Sequence, residues 1–300
     1  MQRQLQVAGV ALSIEDSEDL PWEFEPDSSY HMFRVEVPDV KVLVDVHWHH
    51  PGVGNLGEVV FSARDVPGRY PPNWRLYRSD QGMWSLEVNA SAYPVFQRRI
   101  AVFERDFRRG KVYVELTRRD LAAYPYPLSA PLDRVLFVNI VTHGLGLMLH
   151  ACGIVQNGKG YIFAGPSNSG KSTLSRLWAK ASEATILGDE CLVLRKKGSQ
   201  FWVYGTPWVG EAGFLSSLGA PVEGVFFIRH LAQNALDPIT PNRAAEQFLS
   251  QSILTPYDPI AVQSGLDLCL DFVTQIPAYD FGFVPDESAV RLIQQVAGYA

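Results

Sequence analysis

Residues 161 to 178, YIFAGPSNSGKSTLSRLW, constrain the fold most, because an apolar run there meets a glycine-bounded loop and then a stretch with helical spacing. Gly165, Gly170, Lys171 and Ser172 fit the phosphate-loop pattern G-x-x-x-x-G-K-[ST]. Tyr161 to Ala164 read as a buried strand, and Leu174, Leu177 and Trp178 recur at helical spacing. The loop therefore falls between a strand and a helix, where its mechanism requires it. Unpaired amides at a helix start, backed by the helix's partial positive charge, make an anion site. Gly165, Pro166, Ser167, Asn168, Ser169, Gly170, Lys171, Ser172 and Thr173 form the candidate nucleotide-binding set. In such a loop Lys171 reaches the β- and γ-phosphates and Ser172 holds Mg²⁺.

A phosphate loop alone indicates a nucleoside triphosphate; its neighbours decide what happens to it. Neither the guanine-reading NKxD nor LSGGQ follows, which argues against a GTPase and an ABC-type ATPase. Asp189 and Glu190 end an apolar run about 18 residues past Lys171, where an acid would come to stand beside Mg²⁺. One carboxylate would hold the metal while the other accepts a proton from an attacking hydroxyl; the competing reading is a solvated hairpin. His150, one strand earlier, is a candidate for phosphate contact or for the base, against the commoner case of a satisfied core histidine. Glu211 and Arg229 are weaker candidates, since a strand-end arginine is ordinarily solvated.

From residue 5 to about 116 the chain reads as short strands rich in β-branched and aromatic residues, LQVAGVALSI, HMFRVEV and VKVLVDVHW among them, separated by turns such as PGVGNLG and FRRG. An antiparallel sheet, as a sandwich or partly closed barrel, is expected there. HWHH would put His47 and His49 on one strand face, but no acid or cysteine completes a metal set. The pairs Arg98/Arg99, Arg108/Arg109 and Arg118/Arg119 are interleaved with Glu104, Asp106, Glu115 and Asp120, so they read as a solvated face. YPYPLSAPLD breaks the strand pattern and places a domain boundary near Leu128, giving a β-rich domain over 1–127 and an α/β nucleotide-binding domain over 128–300. A helix over LDRVLFVNIVT stopping at Gly144, a strand over LMLHACGIVQ and helices over NRAAEQFLSQSIL and ESAVRLIQQVAGY fill the second domain. TPWVGEAGFLSSLGAP reads as a loop lying over nucleotide or substrate, and it and the β-rich domain over 1–127, together rich in Tyr, Trp and Arg, are the candidate elements for recognising a peptide substrate.

A net charge of −6 argues against nonspecific nucleic-acid binding. Cys152, Cys191 and Cys269 are widely spaced in apolar surroundings and read as reduced core cysteines. With no convincing signal peptide and no apolar run of about 18 residues, the expectation is a cytoplasmic protein without a membrane partner.

LHACGIVQNGKGYIFAGPSNSGKSTL followed by ILGDECLVL resembles the kinase core of the HPr kinase/phosphorylase family, which carries a His-bearing strand, a phosphate loop and an acidic pair in that order. The arrangement is also similar to that of ATP-dependent phosphoenolpyruvate carboxykinases. YGTPWVGE, APVEGVFFIR and FVPDES look like the HPr-kinase-related branch. The resemblance implies ATP at the loop, Mg²⁺ on Ser172, Asp189 and Glu190, and His150, Lys171, Asp189 and Glu190 at the reacting end. This chain has Asp-Glu for the usual Asp-Asp, Pro166 for the usual Asp, and no recognisable signature loop after the acidic pair. The expected activity is ATP-dependent phosphoryl transfer to a hydroxyl, on a serine of a protein or peptide. A nucleotide-binding regulatory or scaffold module and a small-molecule kinase are the alternatives; self-association stays open.

Overall fold

The structure is a computed structural model, and it describes residues 3–16, 18, 20, 22–24, 28–33, 38–63, 74–89, 95–118 and 124–296. The chain divides into two compact units, Met1–His143 and Gly144–Ala300.

The first unit contains β1 (Arg3–Val7), β2 (Val10–Asp16), β3 (Trp22–Glu23), β4 (Val40–Trp48), β5 (Glu58–Ser62), β6 (Trp74–Arg78), β7 (Trp84–Asn89), β8 (Phe96–Phe103), β9 (Arg109–Leu116), β10 (Tyr124–Pro125) and α1 (Leu132–Thr142). Eight of these strands form one sheet in the order β1-β2-β4-β9-β8-β7-β6-β5. It is mixed, not antiparallel as expected, because β4 runs parallel to both β2 and β9. The reason lies in the connections: more than twenty residues separate β2 from β4, and four strands intervene between β4 and β9. Chain segments of that length allow a parallel return, which a tight hairpin cannot make. Part of the expected strand HMFRVEV lies outside the described residues; His31 and Met32 belong to a short 3₁₀ turn. His47 and His49 do not share a strand face. The His47 ring stacks on Tyr113 at 5.2 Å, while His49 follows the strand's end with φ 54°.

The division falls after α1, not at Leu128, and the first unit's own interactions explain it. Arg99, fully buried on β8, donates to the carbonyls of Ser129 at 2.7 Å, Ala130 at 3.2 Å and Pro127 at 3.3 Å. Buried Asp133 in the first turn of α1 accepts a hydrogen bond from the Tyr30 hydroxyl. The proline segment is thereby tied to the β-rich unit. Arg99 is also not part of a solvated face, whereas Arg98 pairs with Glu87 at 2.6 Å, and Arg119 and Asp120 lie outside the described residues.

The second unit contains β11 (Leu147–Leu149), β12 (Ala151–Gln156), β13 (Lys159–Ala164), α2 (Lys171–Ala181), β14 (Thr185–Gly188), β15 (Leu192–Lys197), β16 (Gln200–Tyr204), β17 (Gly219–His230), β18 (Ala235–Pro238), α3 (Pro241–Ser250), β19 (Ser252–Ile253), α4 (Pro259–Gln275), β20 (Ala278–Phe283) and α5 (Glu287–Val296). Ten strands form a sheet whose main path is β14-β12-β13-β17-β16-β15-β11-β19, with β20 beside β17 and β18 beside β20. Alternation along β13 sorts its side chains. Ile162 and Ala164 join a core with Phe248 of α3 and Phe272 of α4, while Tyr161 and Phe163 join one with Leu174 and Trp178 of α2 and Ile293 of α5. Helices thus cover both faces of the sheet. The expected single strand LMLHACGIVQ is two strands broken at His150: β11 pairs with β15 and β19, β12 with β13 and β14. The segment around Asp189 is interrupted likewise, between β14 and β15. No helix among the described residues is long and apolar enough to cross a membrane.

Replacing Arg99 by Met should lower the urea midpoint of the first unit by an amount corresponding to about 2–4 kcal/mol, because buried carbonyls would lose their donor. Arg99→Lys should recover only part of this, since one ammonium cannot reproduce the guanidinium fork. Midpoints equal to that of the wild type would refute this role for Arg99.

Candidate phosphate-binding site

The sheet register brings the sequence-flagged residues to one end of the second unit. β12 runs antiparallel to β13 with Ala151 opposite Ala164, so His150 stands level with Gly165, the first residue of the loop. β14 lies on the other side of β12, with Gly188 opposite Gly153, and its end delivers Asp189 and Glu190.

The loop curls around its own lysine. Lys171 is 6% exposed, and its Nζ donates to the carbonyls of Gly165 at 2.7 Å and Pro166 at 3.0 Å. Burial pushes this ammonium below the usual lysine range, while Glu190, Cys152 and Asp189 pull the other way. A depressed lysine pKa means that the associated stability is present above the unfolded value of 10.5 and is lost as pH falls through the folded value. Below that folded value the protein bears the cost in full, and an anion beside the ammonium would reduce it. Gly170 caps α2 with φ 100°, a left-handed conformation that a side chain would strain. Asn168 is also left-handed, at φ 65°, as the turn closed by Ser169 N–H to the Pro166 carbonyl at 3.1 Å requires. Pro166, Ser167, Asn168 and Thr173 are exposed, and the buried Ser169 Oγ has no hydrogen-bond partner.

Asp189 is not on a solvated hairpin. It is 2% exposed, and its Oδ2 accepts from the Ser172 hydroxyl at 3.1 Å and from the Ala212 amide at 2.8 Å. Its Oδ1 is buried without a hydrogen-bond partner. A buried carboxylate oxygen left in this state is costly unless something else satisfies it. With its proton on Asp189, the Ser172 oxygen keeps lone pairs for a cation. These oxygens suit Mg²⁺, which commonly takes one or two carboxylates and completes its shell with substrate phosphates and water. Among the described residues no group of three or more His, Cys, Asp or Glu forms a metal cage, and such a shared site needs none.

Glu190 points to a different partner. Its carboxylate lies 3.6 Å from His150 Nδ1, and that nitrogen is 3.1 Å from the Glu190 carbonyl. A carbonyl only accepts, so Nδ1 carries the proton and Nε2 of the neutral ring can accept one. Both side chains are partly exposed, 28% for His150 and 34% for Glu190.

The segment after Tyr204 is expected over nucleotide or substrate as a recognition element, and a role in holding the acidic pair has no signal in the sequence. Here the Ala212 amide holds Asp189, and Gly210 allows the approach: a Cβ there would lie 2.7–2.8 Å from the three carboxyl atoms of Asp189. Arg176 of α2 donates to the Glu211 carbonyl at 3.2 Å, which ties the same segment to the loop helix. Arg229 joins Asp237 at 3.1 Å and Asp280 at 3.6 Å, and Asp280 also receives Arg243 and Gln247, so this arginine is engaged in an ion-pair network. Behind the loop helix, burial pushes the Cys152 thiol up to about 12, so it is inert. A groove of about 690 Å³ opens elsewhere, beside α4, bordered by Lys196, Gln263, Asp267 and Asp271, and shares no residue with the loop.

No protein-family model and no curated protein matches the chain. Among solved structures, the HPr(Ser) kinase/phosphatase from Coxiella burnetii is similar to it at a TM-score of 0.29 and 15% identity, over 50% of this chain and 93% of that one. The resemblance is distant.

If a nucleotide binds here with Mg²⁺, Gly210→Ala should displace the Asp189 carboxylate and weaken that binding about tenfold, with metal-free binding little changed. Equal affinities for wild type and variant in the presence of Mg²⁺ would show that this close approach has no part in the site.

Proposed function

We propose that the second unit binds ATP at residues 165–173 and transfers its γ-phosphoryl group to a hydroxyl. The observation that carries this reading is the buried, partnerless Oδ1 of Asp189 beside the Ser172 hydroxyl, next to a phosphate loop curled around a lysine. An anion loop alone would bind phosphate; a desolvated carboxylate beside its serine adds a place for the cation that accompanies a triphosphate.

In this reading the loop amides and Lys171 hold the phosphates, and Ser172 and Asp189 hold Mg²⁺. The metal would supply charge neutralisation on the phosphate oxygens. Lys171 exchanges the carbonyls of Gly165 and Pro166 for phosphate oxygens, so that charge develops against a fixed cation. The acceptor oxygen forms a bond to the γ-phosphorus as the bond to ADP breaks, and the acceptor proton passes to Glu190 or to Nε2 of His150. Glu190 suits the proton better than Asp189, whose Oδ2 already takes two hydrogen bonds. A serine of a protein or peptide is the acceptor we favour, because the segment around Trp208, Val209 and Glu211 leaves apolar and acidic groups accessible beside Asp189. A binding module that turns ATP over slowly is the alternative, and acceptor-dependent release of ADP separates the two.

ATP with Mg²⁺ at 100 times its dissociation constant should stabilise the protein by about 2.7 kcal/mol, and Lys171→Ala should abolish the shift in melting temperature. An unshifted wild-type melt at millimolar ATP would refute nucleotide binding. Glu190→Gln should leave ATP binding near wild type and cut transfer by about 10²-fold or more, whereas Asp189→Asn should lose the Mg²⁺ dependence of binding. Full turnover in both variants would remove the acidic pair from the mechanism.

A further inference from the structure

β17 overshoots its neighbour. It runs parallel to β13 with Phe227 opposite Ala164, and three more residues carry it on beneath the phosphate loop to His230. Along this extension the Ile228 carbonyl lies 3.2 Å from where a Cβ on Gly165 would stand. Phe283, opposite His230 on β20, fills the space next to Gly170, where an added Cβ would meet its ring at 2.8 Å. The His230 ring stacks on Phe283 with centroids 6.5 Å apart, and its Nε2 is 2.8 Å from the carbonyl of Asn168 at the crest of the loop.

We infer that His230 is a positioning residue that sets the phosphate loop in its binding conformation; the inference rests on the nucleotide-binding reading above. A carbonyl cannot donate, so His230 Nε2 carries the proton and donates it to Asn168. That carbonyl shares a rigid peptide plane with the Ser169 N–H, which donates to the Pro166 carbonyl at 3.1 Å. Both ends of the crest peptide are therefore tied, one to a neighbouring strand and one within the loop. Asn168 sits at φ 65°, a conformation that costs a non-glycine residue and needs outside support. With His230 in place the loop does not pay to order itself when the phosphates arrive, which is preorganisation. The histidine touches no reacting atom in this account, so its loss weakens ATP binding and leaves transfer at saturating ATP intact.

The test is calorimetric titration of the full-length protein with ATP and Mg²⁺, for the wild type, His230→Ala, His230→Gln and Lys171→Ala. His230→Ala should raise the dissociation constant about three- to tenfold, the usual worth of one hydrogen bond. His230→Gln, whose side-chain amide can donate to the same carbonyl, should restore most of the affinity, and Lys171→Ala should remove binding. Equal affinity in wild type and His230→Ala would overturn the clamp and leave the nucleotide reading standing, and a His230→Gln variant as weak as His230→Ala would overturn the donor role. No binding by the wild type, or undiminished binding by Lys171→Ala, would overturn the nucleotide reading and the clamp with it.

Discussion

The ammonium of Lys171 is a charge held almost out of water, and the end of the second unit is arranged to tolerate it. Two carbonyls of the loop turn inward to accept its protons, which closes the loop into a ring around the side chain. Two acids stand near enough to offset part of the desolvation without fully restoring an ordinary lysine. Such an arrangement costs stability, and in the function proposed above the phosphates of the nucleotide would offset it. The strand before the loop, the helix after it and the segment over Asp189 can be understood as the support that keeps this charge in place.

How much of this was legible depends on how local the cause is. The strand, loop and helix of the candidate phosphate site follow one another within 18 residues, from Tyr161 to Trp178, so periodicity and turn chemistry identify them without tertiary knowledge. The break at His150 is different. Nothing in LMLHACGIVQ marks it, because it arises from the need of β11 to pair with β15 while β12 pairs with β13. Helix α4 went unread although its start carries a plain signal, Asp258 followed by Pro259, with the Asp258 side chain accepting from the Ile260 amide at 3.0 Å. Gly210 and His230 gave no motif at all: each matters through what lies across a turn or on an adjacent strand.

In the first unit, composition identified strands but not their pairing. LQVAGVALSI read as one run is a hairpin, β1 and β2, turning at Ala8 and Gly9 with φ of 53° and 77°. Three prolines made a plausible boundary near Leu128, yet a proline run marks only a change of backbone and not which unit owns it. Arg99 and Asp133 decide ownership. A buried guanidinium needs acceptors, and the carbonyls that take hydrogen bonds from its two terminal nitrogens belong to the proline segment. The same arginine read in sequence as part of a charged stripe, because burial of one member of an Arg-Arg pair leaves no local trace.

The acidic pair shows why two adjacent carboxylates need not be equivalent. Asp189 and Glu190 follow the end of β14, and consecutive residues there project to different surroundings. Asp189 enters a space closed by Ser172, Ala212 and Gly210, where only small groups fit. Glu190 turns toward His150 and stays partly in water. In the reaction proposed above, a site that must keep a cation still and also pass on a proton would benefit from this difference. The first task wants a desolvated, fixed oxygen, the second an oxygen that solvent and acceptor can both reach. Glutamate at the second position has one methylene more of reach than an aspartate would, on the side of the pair that faces outward. The longer side chain therefore changes what the outward side of the pair presents while leaving the enclosed Asp189 unaltered.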